Sequence, residues 1–378
     1  MKPIELPPKW QIQEIDSDTV ASASSPVGYE IQNGEIVREN EVIHLKGINW
    51  FGFETPEHVV HGLWTQNYRD IILNIKTLGF NAIRLPFCPN VIDQASTRSI
   101  NYYINPNLKG LNSLAVLDKI MQEANAQGLY ILLDHHVMPD HKISELWYSR
   151  NYSEAEWLAD LKFVANRYKG LDHFLGVDIK NEPHGSVTWG DGDPKTDWKM
   201  AAEKAAEVLL EASPGTLVFV EGIQTSSTCS SEDWHWWGEN LEPQACSPLN
   251  IPKNKLVLSP HVYGPDLADK EEFSSPNFPR NLPELWDRHF GYLKKQGYAV
   301  IPGEFGGRYV KGSPGQVWQD AFMTYLKQGN MGFFYWCYNP NSEHGEGLLV
   351  HELGEPDDWE TIDEKKYASL KRLMDSNN

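Results

Sequence analysis

The chain has 378 residues and carries 33 Lys and Arg against 52 Asp and Glu, for a formal net charge of −19. A surface this acidic is repelled by phosphate backbones and anionic lipid, which argues against nucleic-acid and membrane partners. Disorder is excluded by 14 Trp, 16 Tyr and 14 Phe, and no apolar run approaches the roughly 18–20 residues of a membrane helix.

Residues 1–27, which include SDTVASASSPVG, are small and polar and read as an extension; 28–378 read as one folded domain. The segment GYEIQNGEIVRENEVIHLKG alternates about Asn33-Gly34, a strong hairpin signal. Strand-like runs then follow at LKGINW (45–50), FNAIRLPF (80–87), LYILLDHH (129–136), FLGVDIKNEP (174–183), TLVFVEG (216–222), KLVLSPHVY (255–263), YAVIPGEFG (298–306) and GFFYWCYN (332–339). Between most of them lie helix-period faces such as Tyr68, Ile71, Ile72, Ile75 and Leu78, or Trp157, Leu161, Val164 and Tyr168. Eight strands alternating with helices predict an α/β fold, a single (β/α)8 TIM barrel. A doubly wound sheet is the alternative, but no glycine-rich phosphate loop follows the first strand.

Four cysteines do not make a disulfide scaffold. Cys229 and Cys246 flank a Trp-rich insertion, TCSSEDWHWWGENLEPQACS, between the fifth and sixth strands, and their spacing reads as a staple for a long loop. Cys88 and Cys337 end apolar runs and read as buried thiols. A staple implies an oxidising compartment, so a secreted protein is expected; MKPIELPPKW lacks an apolar leader segment, which export would require to have been removed.

In such a barrel, chemistry sits at the C-terminal ends of the strands. Those ends carry Asn49-Trp50, Arg84, Asp134-His135-His136, Asn181-Glu182-Pro183, Glu221, His261, Tyr263, Glu304 and Trp336. Glu182, after the fourth strand, and Glu304, after the seventh, form the carboxylate pair that glycosidic cleavage needs. A lone glutamate after a strand is more often an ion-pair partner, but here the other groups fit supporting roles. Arg84 suits orienting a carboxylate, Asn181 a sugar hydroxyl, His261 and Tyr263 the acid and the nucleophile respectively, and Trp336 the floor beneath a pyranose ring.

The strings IRLPF, LLDHH, NEPHG, HVYG, GEFG and FFYWCYNPNSEHGEG resemble glycoside hydrolase family 5, most closely its bacterial endoglucanase branch, over roughly residues 43 to 365. The resemblance implies that Glu182 is the general acid/base and Glu304 the nucleophile. It also matches Arg84, His136, Asn181, His261, Tyr263 and Trp336 to positions near the cleaved bond. His135 fills a variable position beside His136, Trp50 matches an aromatic subsite position, and Trp237 is chosen over Trp234 and Trp236 as a sugar platform.

The expected function is therefore a retaining endo-β-1,4-glucanase acting as a monomer on a β-glucan, without cofactor or metal. The runner-up activities are β-mannanase, xyloglucanase and mixed-linkage glucanase, and the non-enzymatic rival is a glycan-binding barrel. The cluster His135, His136, Asp140 and His141 invites a catalytic metal, but a His-x-His on the first strand is missing, and His141 reads as a loop residue. Glu221 reads as a hydrogen-bond partner to the site.

Overall fold

A computed structural model describes residues 28–229, 235–343, 347–350 and 357–375. The 1–27 extension and Trp234 lie outside the described residues. A small antiparallel sheet comes first: β1 (Glu30–Gln32), β2 (Glu35–Arg38) and β3 (Glu41–Ile43). Asn33 and Gly34 both take positive φ, 53° and 80°, as the tight hairpin turn requires. The third strand is added by a second turn at Glu39 and Asn40, also at positive φ. That pair lacks the glycine that marks such turns in sequence, so only the first hairpin was legible.

Eight parallel strands follow: β4 (Lys46–Asn49), β5 (Ala82–Phe87), β6 (Tyr130–His135), β7 (Phe174–Asp178), β8 (Leu217–Val220), β9 (Leu256–Leu258), β10 (Ala299–Val300) and β11 (Phe333–Tyr335). They are hydrogen-bonded in the order β10-β9-β8-β7-β6-β5-β4-β11. The remaining seam closes through the Phe334 N–H to the Pro302 carbonyl and the Trp336 N–H to the Phe305 carbonyl, both 2.9 Å. The result is the expected (β/α)8 barrel. Its longer helices start at side-chain caps, among them Asn67 before Tyr68–Thr77, Ser153 before Glu154–Tyr168 and Ser313 before Pro314–Gln328.

Strand alternation sorts the interior into two storeys. Ala82, Leu132, Leu217, Phe219, Val257 and Phe334 fill the lower one with apolar volume, and Tyr29, Ile31 and Ile36 from the small sheet cover it from below. Space there is tight: a Cβ on Gly47 would lie 2.2 Å from a ring carbon of Phe334. Two residues further along the same strands the inward positions are Arg84, Asp134, Glu221 and Ser259, all fully buried. The opposite faces, such as Ile83, Leu85, Ile131 and Leu133, pack against the helices. After β8, among the described residues, the chain makes only short 3-10 turns, Glu242–Ala245 and Lys253–Lys255, before β9. A disulfide joins Cys229 and Cys246 there, with Cα atoms 6.3 Å apart, while Cys88 and Cys337 are free and buried.

Candidate active site

Arg84 is the hub of the upper storey. Its Nη1 donates to Glu304 Oε1 at 2.7 Å and Asn49 Oδ1 at 3.0 Å, and its Nη2 to Asp178 Oδ2 at 3.0 Å and Asn181 Oδ1 at 3.1 Å. Asp134 lies 3.1 Å from the same Nη2. Burial opposes a charge here, but the facing carboxylates, Asp134 foremost, hold the guanidinium protonated. A planar fork with fixed donors is what lets one side chain orient this many acceptors.

Glu304 is gripped from both sides, by Arg84 on Oε1 and by the Tyr263 hydroxyl on Oε2 at 2.8 Å. Gly303 lets its backbone approach the sixth barrel strand, since a Cβ there would meet Ser259 Oγ at 2.7 Å and His261 Nε2 at 2.8 Å. Glu182 sits across the mouth at φ +52°, a left-handed conformation rare for a side chain with a Cβ. Its N–H donates to Glu221 Oε2 at 2.8 Å. Its Oε1 accepts from the Trp236 indole at 2.8 Å and lies 3.2 Å from His261 Nδ1. One carboxylate oxygen of Glu182, one of Glu304 and a nitrogen of His261 all lie within 4.8 Å of one another.

His261 links the two glutamates and Glu221, whose Oε1 is 3.1 Å from Nε2. Burial works against its charge, yet Glu221 and Glu304 raise the imidazole well above its ordinary range. Burial pushes the Glu221 carboxyl up to about 8. The Glu182 N–H, His261 Nε2 and Arg84 nevertheless all offer Glu221 hydrogens, so the pair rests as imidazolium and carboxylate. For Glu182, burial is outweighed by the bonds from His261 and Trp236, which hold its carboxyl below the usual range.

The glutamates open into a cavity of about 550 Å³ walled by Phe51, Glu54, His136, Trp236, Tyr263 and Trp336. Phe51 and His136 lie nearly parallel to Trp336, with centroids 5.6 and 5.7 Å away. Asp134 fixes His136 through Nδ1 at 2.6 Å. Asn181, buried beside Glu182, spends its oxygen on Arg84 and leaves its amide nitrogen without a protein partner.

Two expected substrate contacts are buried away from the cleft. Trp50 is fully buried and donates its indole N–H to the His61 carbonyl at 3.0 Å, so it cannot offer a face to a sugar. His135 is fully buried too, against Tyr152 at 3.1 Å, and burial, followed by Lys180, lowers its pKa to about 3. Both have outward parity on their strands; inward parity belongs to Asn49 and Phe51, and to Asp134 and His136. Trp237 stacks on His184 with centroids 3.8 Å apart, and His184 Nδ1 bonds the Glu182 carbonyl at 2.7 Å, so it braces the loop. Trp236 is the indole at the cleft, a choice between neighbours that an irregular loop gives no periodicity to decide. Phe51 and Glu54 were missed although both stand in GINWFGFE; Phe51 follows the same alternation, whereas Glu54 lies past the strand, where no alternation applies.

Residues 39–342 match the family described as Cellulase (glycosyl hydrolase family 5). The chain is 48% identical over 361 residues to the major extracellular endoglucanase of Xanthomonas campestris pv. campestris, covering 94% of this chain and 73% of that protein. It is 41% identical to an endoglucanase of Paenibacillus polymyxa, covering 94% and 89%. The catalytic domain of the Xanthomonas enzyme superposes with a TM-score of 0.88 over 92% of this chain and all of that one. A cellotetraose complex of an endocellulase variant from Pyrococcus horikoshii, 43% identical, gives 0.88 over 93% and 99%.

Proposed function

The chain belongs to glycosyl hydrolase family 5, the cellulases, and from that premise we infer that it is an endo-β-1,4-glucanase that works by double displacement. The observation that carries the mechanism is the closeness of the two carboxylates, with an oxygen of each within 4.8 Å. A retaining pair stands about 5–5.5 Å apart, whereas an inverting pair needs roughly 6.5–9.5 Å to admit a water.

In this reading Glu304, aligned by Arg84 and Tyr263, attacks the anomeric carbon. The bond to the leaving oxygen breaks as Glu182 protonates that oxygen, and a glycosyl ester forms on Glu304. The free protein carries the required proton on His261, 3.2 Å from Glu182 Oε1, and hands it across that contact. Esterification then removes one of the charges that held His261 protonated. Glu182 next takes a proton from water, whose oxygen attacks the same carbon and releases Glu304. Asn181 offers its unspent N–H to a hydroxyl of the bound sugar.

Linear glucan suits the cleft because its equatorial chain presents flat faces to Trp336, Phe51 and Trp236. The Pyrococcus relative is described in complex with cellotetraose. Export is the matching location, supported by the Cys229–Cys246 bridge and by likeness to an extracellular enzyme. Product profiling tests the substrate: soluble cellulose derivatives should lose viscosity early and yield short cello-oligosaccharides. Faster turnover of mannan or xyloglucan would replace the substrate assignment, and binding without turnover would leave a glycan-binding barrel.

A further inference from the structure

His58, Cys88 and His141 come from the loops after the first three barrel strands, apart from the catalytic carboxylates. The Cys88 sulfur and one nitrogen of each imidazole lie within 4.8 Å of one another. Each ring is pinned through Nδ1, His58 to the Ser96 carbonyl at 3.3 Å and His141 to the Glu54 carbonyl at 2.9 Å. A carbonyl only accepts, so Nδ1 carries the hydrogen in both rings and Nε2 the lone pair. His58 Nε2 is shielded from solvent and has no hydrogen-bond partner. The two rings are 5.2 Å apart, and both histidines are held at positive φ, 54° and 61°. The buried Cys88 thiol donates to the Phe53 carbonyl at 3.2 Å.

We propose that these three side chains bind one soft divalent cation of the zinc class, through both Nε2 atoms and the Cys88 thiolate, with a fourth position open. Imidazole and thiolate together select such ions over magnesium or calcium. A carbonyl accepting Nδ1–H is the support that orients metal-binding imidazoles. Tetrahedral zinc, with bonds of about 2.0–2.3 Å, sets neighbouring donors roughly 3.3–3.6 Å apart. The donors reach that spacing by side-chain rotation of about an ångström, since all three stand on loops. On binding, the thiol gives its proton to solvent, the sulfur–metal bond forms, and the bond to Phe53 is lost.

Such an ion would clip together three loops that build one wall of the cleft, where Glu54, Thr55 and His141 line the cavity. It would take no part in bond cleavage. The bland rival is a packed thiol and two imidazoles with no affinity for metal.

The test uses the full chain, stripped with a chelator and titrated with cobalt(II) and then zinc. The expected result is one cobalt per chain with a thiolate-to-cobalt charge-transfer band, displaced by zinc, and a thermal midpoint that rises with zinc. Cys88→Ser should abolish the band, and His58→Gln and His141→Gln should each weaken binding roughly tenfold or more. His58→Gln and His141→Gln change half-exposed loop residues and keep the test valid if Cys88→Ser fails to fold. No thiolate band in the unaltered chain, a band that persists in Cys88→Ser, or unchanged affinity in both histidine variants would overturn the proposal.

Discussion

The backbone N–H of Glu182 ends on the carboxylate of Glu221, 2.8 Å from Oε2. That bond holds Glu182 in its left-handed conformation, while the other oxygen of Glu221 meets His261. One buried carboxylate thus sets both the position of Glu182 and the charge of the imidazole beside it.

Glu221→Gln keeps an acceptor for the N–H but removes the charge that raises His261. The imidazole should then lose its proton at lower pH, so the alkaline limb of kcat moves toward acid and kcat falls about 10–100-fold. A pH–rate profile decides this. An unmoved alkaline limb would show that Glu221 does not set the His261 proton.

Glu304→Gln should remove turnover by roughly 10⁴-fold or more with the far-ultraviolet dichroism and cello-oligosaccharide binding intact. Glu182→Gln should hurt cello-oligosaccharides far more than activated aryl glycosides, because only the former need a protonated leaving group. Equal losses on both substrates would count against the acid role.

Proton NMR within minutes of mixing should show β-anomer product first, with the α form appearing only through mutarotation. Initial α product would defeat the double displacement and leave the barrel untouched.

The Asp134–His136 pair should shape stability against pH. Arg84 and His136 outweigh burial and hold Asp134 below its ordinary 3.8, so its contribution is present above that value and lost as pH falls through the lower folded value. Asp134 outweighs burial and raises His136 above 6.5, so its contribution is full below 6.5 and lost as pH rises through the folded value. The stability gap between the unaltered chain and Asp134→Asn should therefore be widest between those limits, at about 3–5 kcal/mol. Denaturant midpoints across pH measure it, and a gap that keeps growing toward alkaline pH would contradict the pairing.

Thiol counting under denaturing, non-reducing conditions should find Cys88 and Cys337 free and the other two bonded. Cys246→Ser should cost about 2–4 kcal/mol, since the bridge closes a 17-residue separation. Four free thiols would remove the bridge and the main argument for export.

The eight strands were legible because each is an apolar run ending in polar residues, and the glutamates because they stand at two of those ends. Their lengths were not: β10 spans only Ala299 and Val300, although the Ile301 and Gly303 N–H groups go on donating to the Leu258 and Pro260 carbonyls. Burial separated Trp50 from Phe51, and parity along the strand was the available signal. The choice of Trp236 over Trp237 depended on the path of a loop anchored to Glu182 and His184, which no local pattern encodes.

The two storeys of the barrel divide the labour of mutation. Charges crowded around Arg84 are expensive to bury, and the oily floor beneath them, sealed by Tyr29, Ile31 and Ile36, offsets that expense without touching the sugar. Drift in the floor therefore changes how much damage the rim can absorb, while drift in the rim changes what the enzyme cuts. A lineage acquiring a new polysaccharide can bank stability at one end of its strands before it gambles at the other.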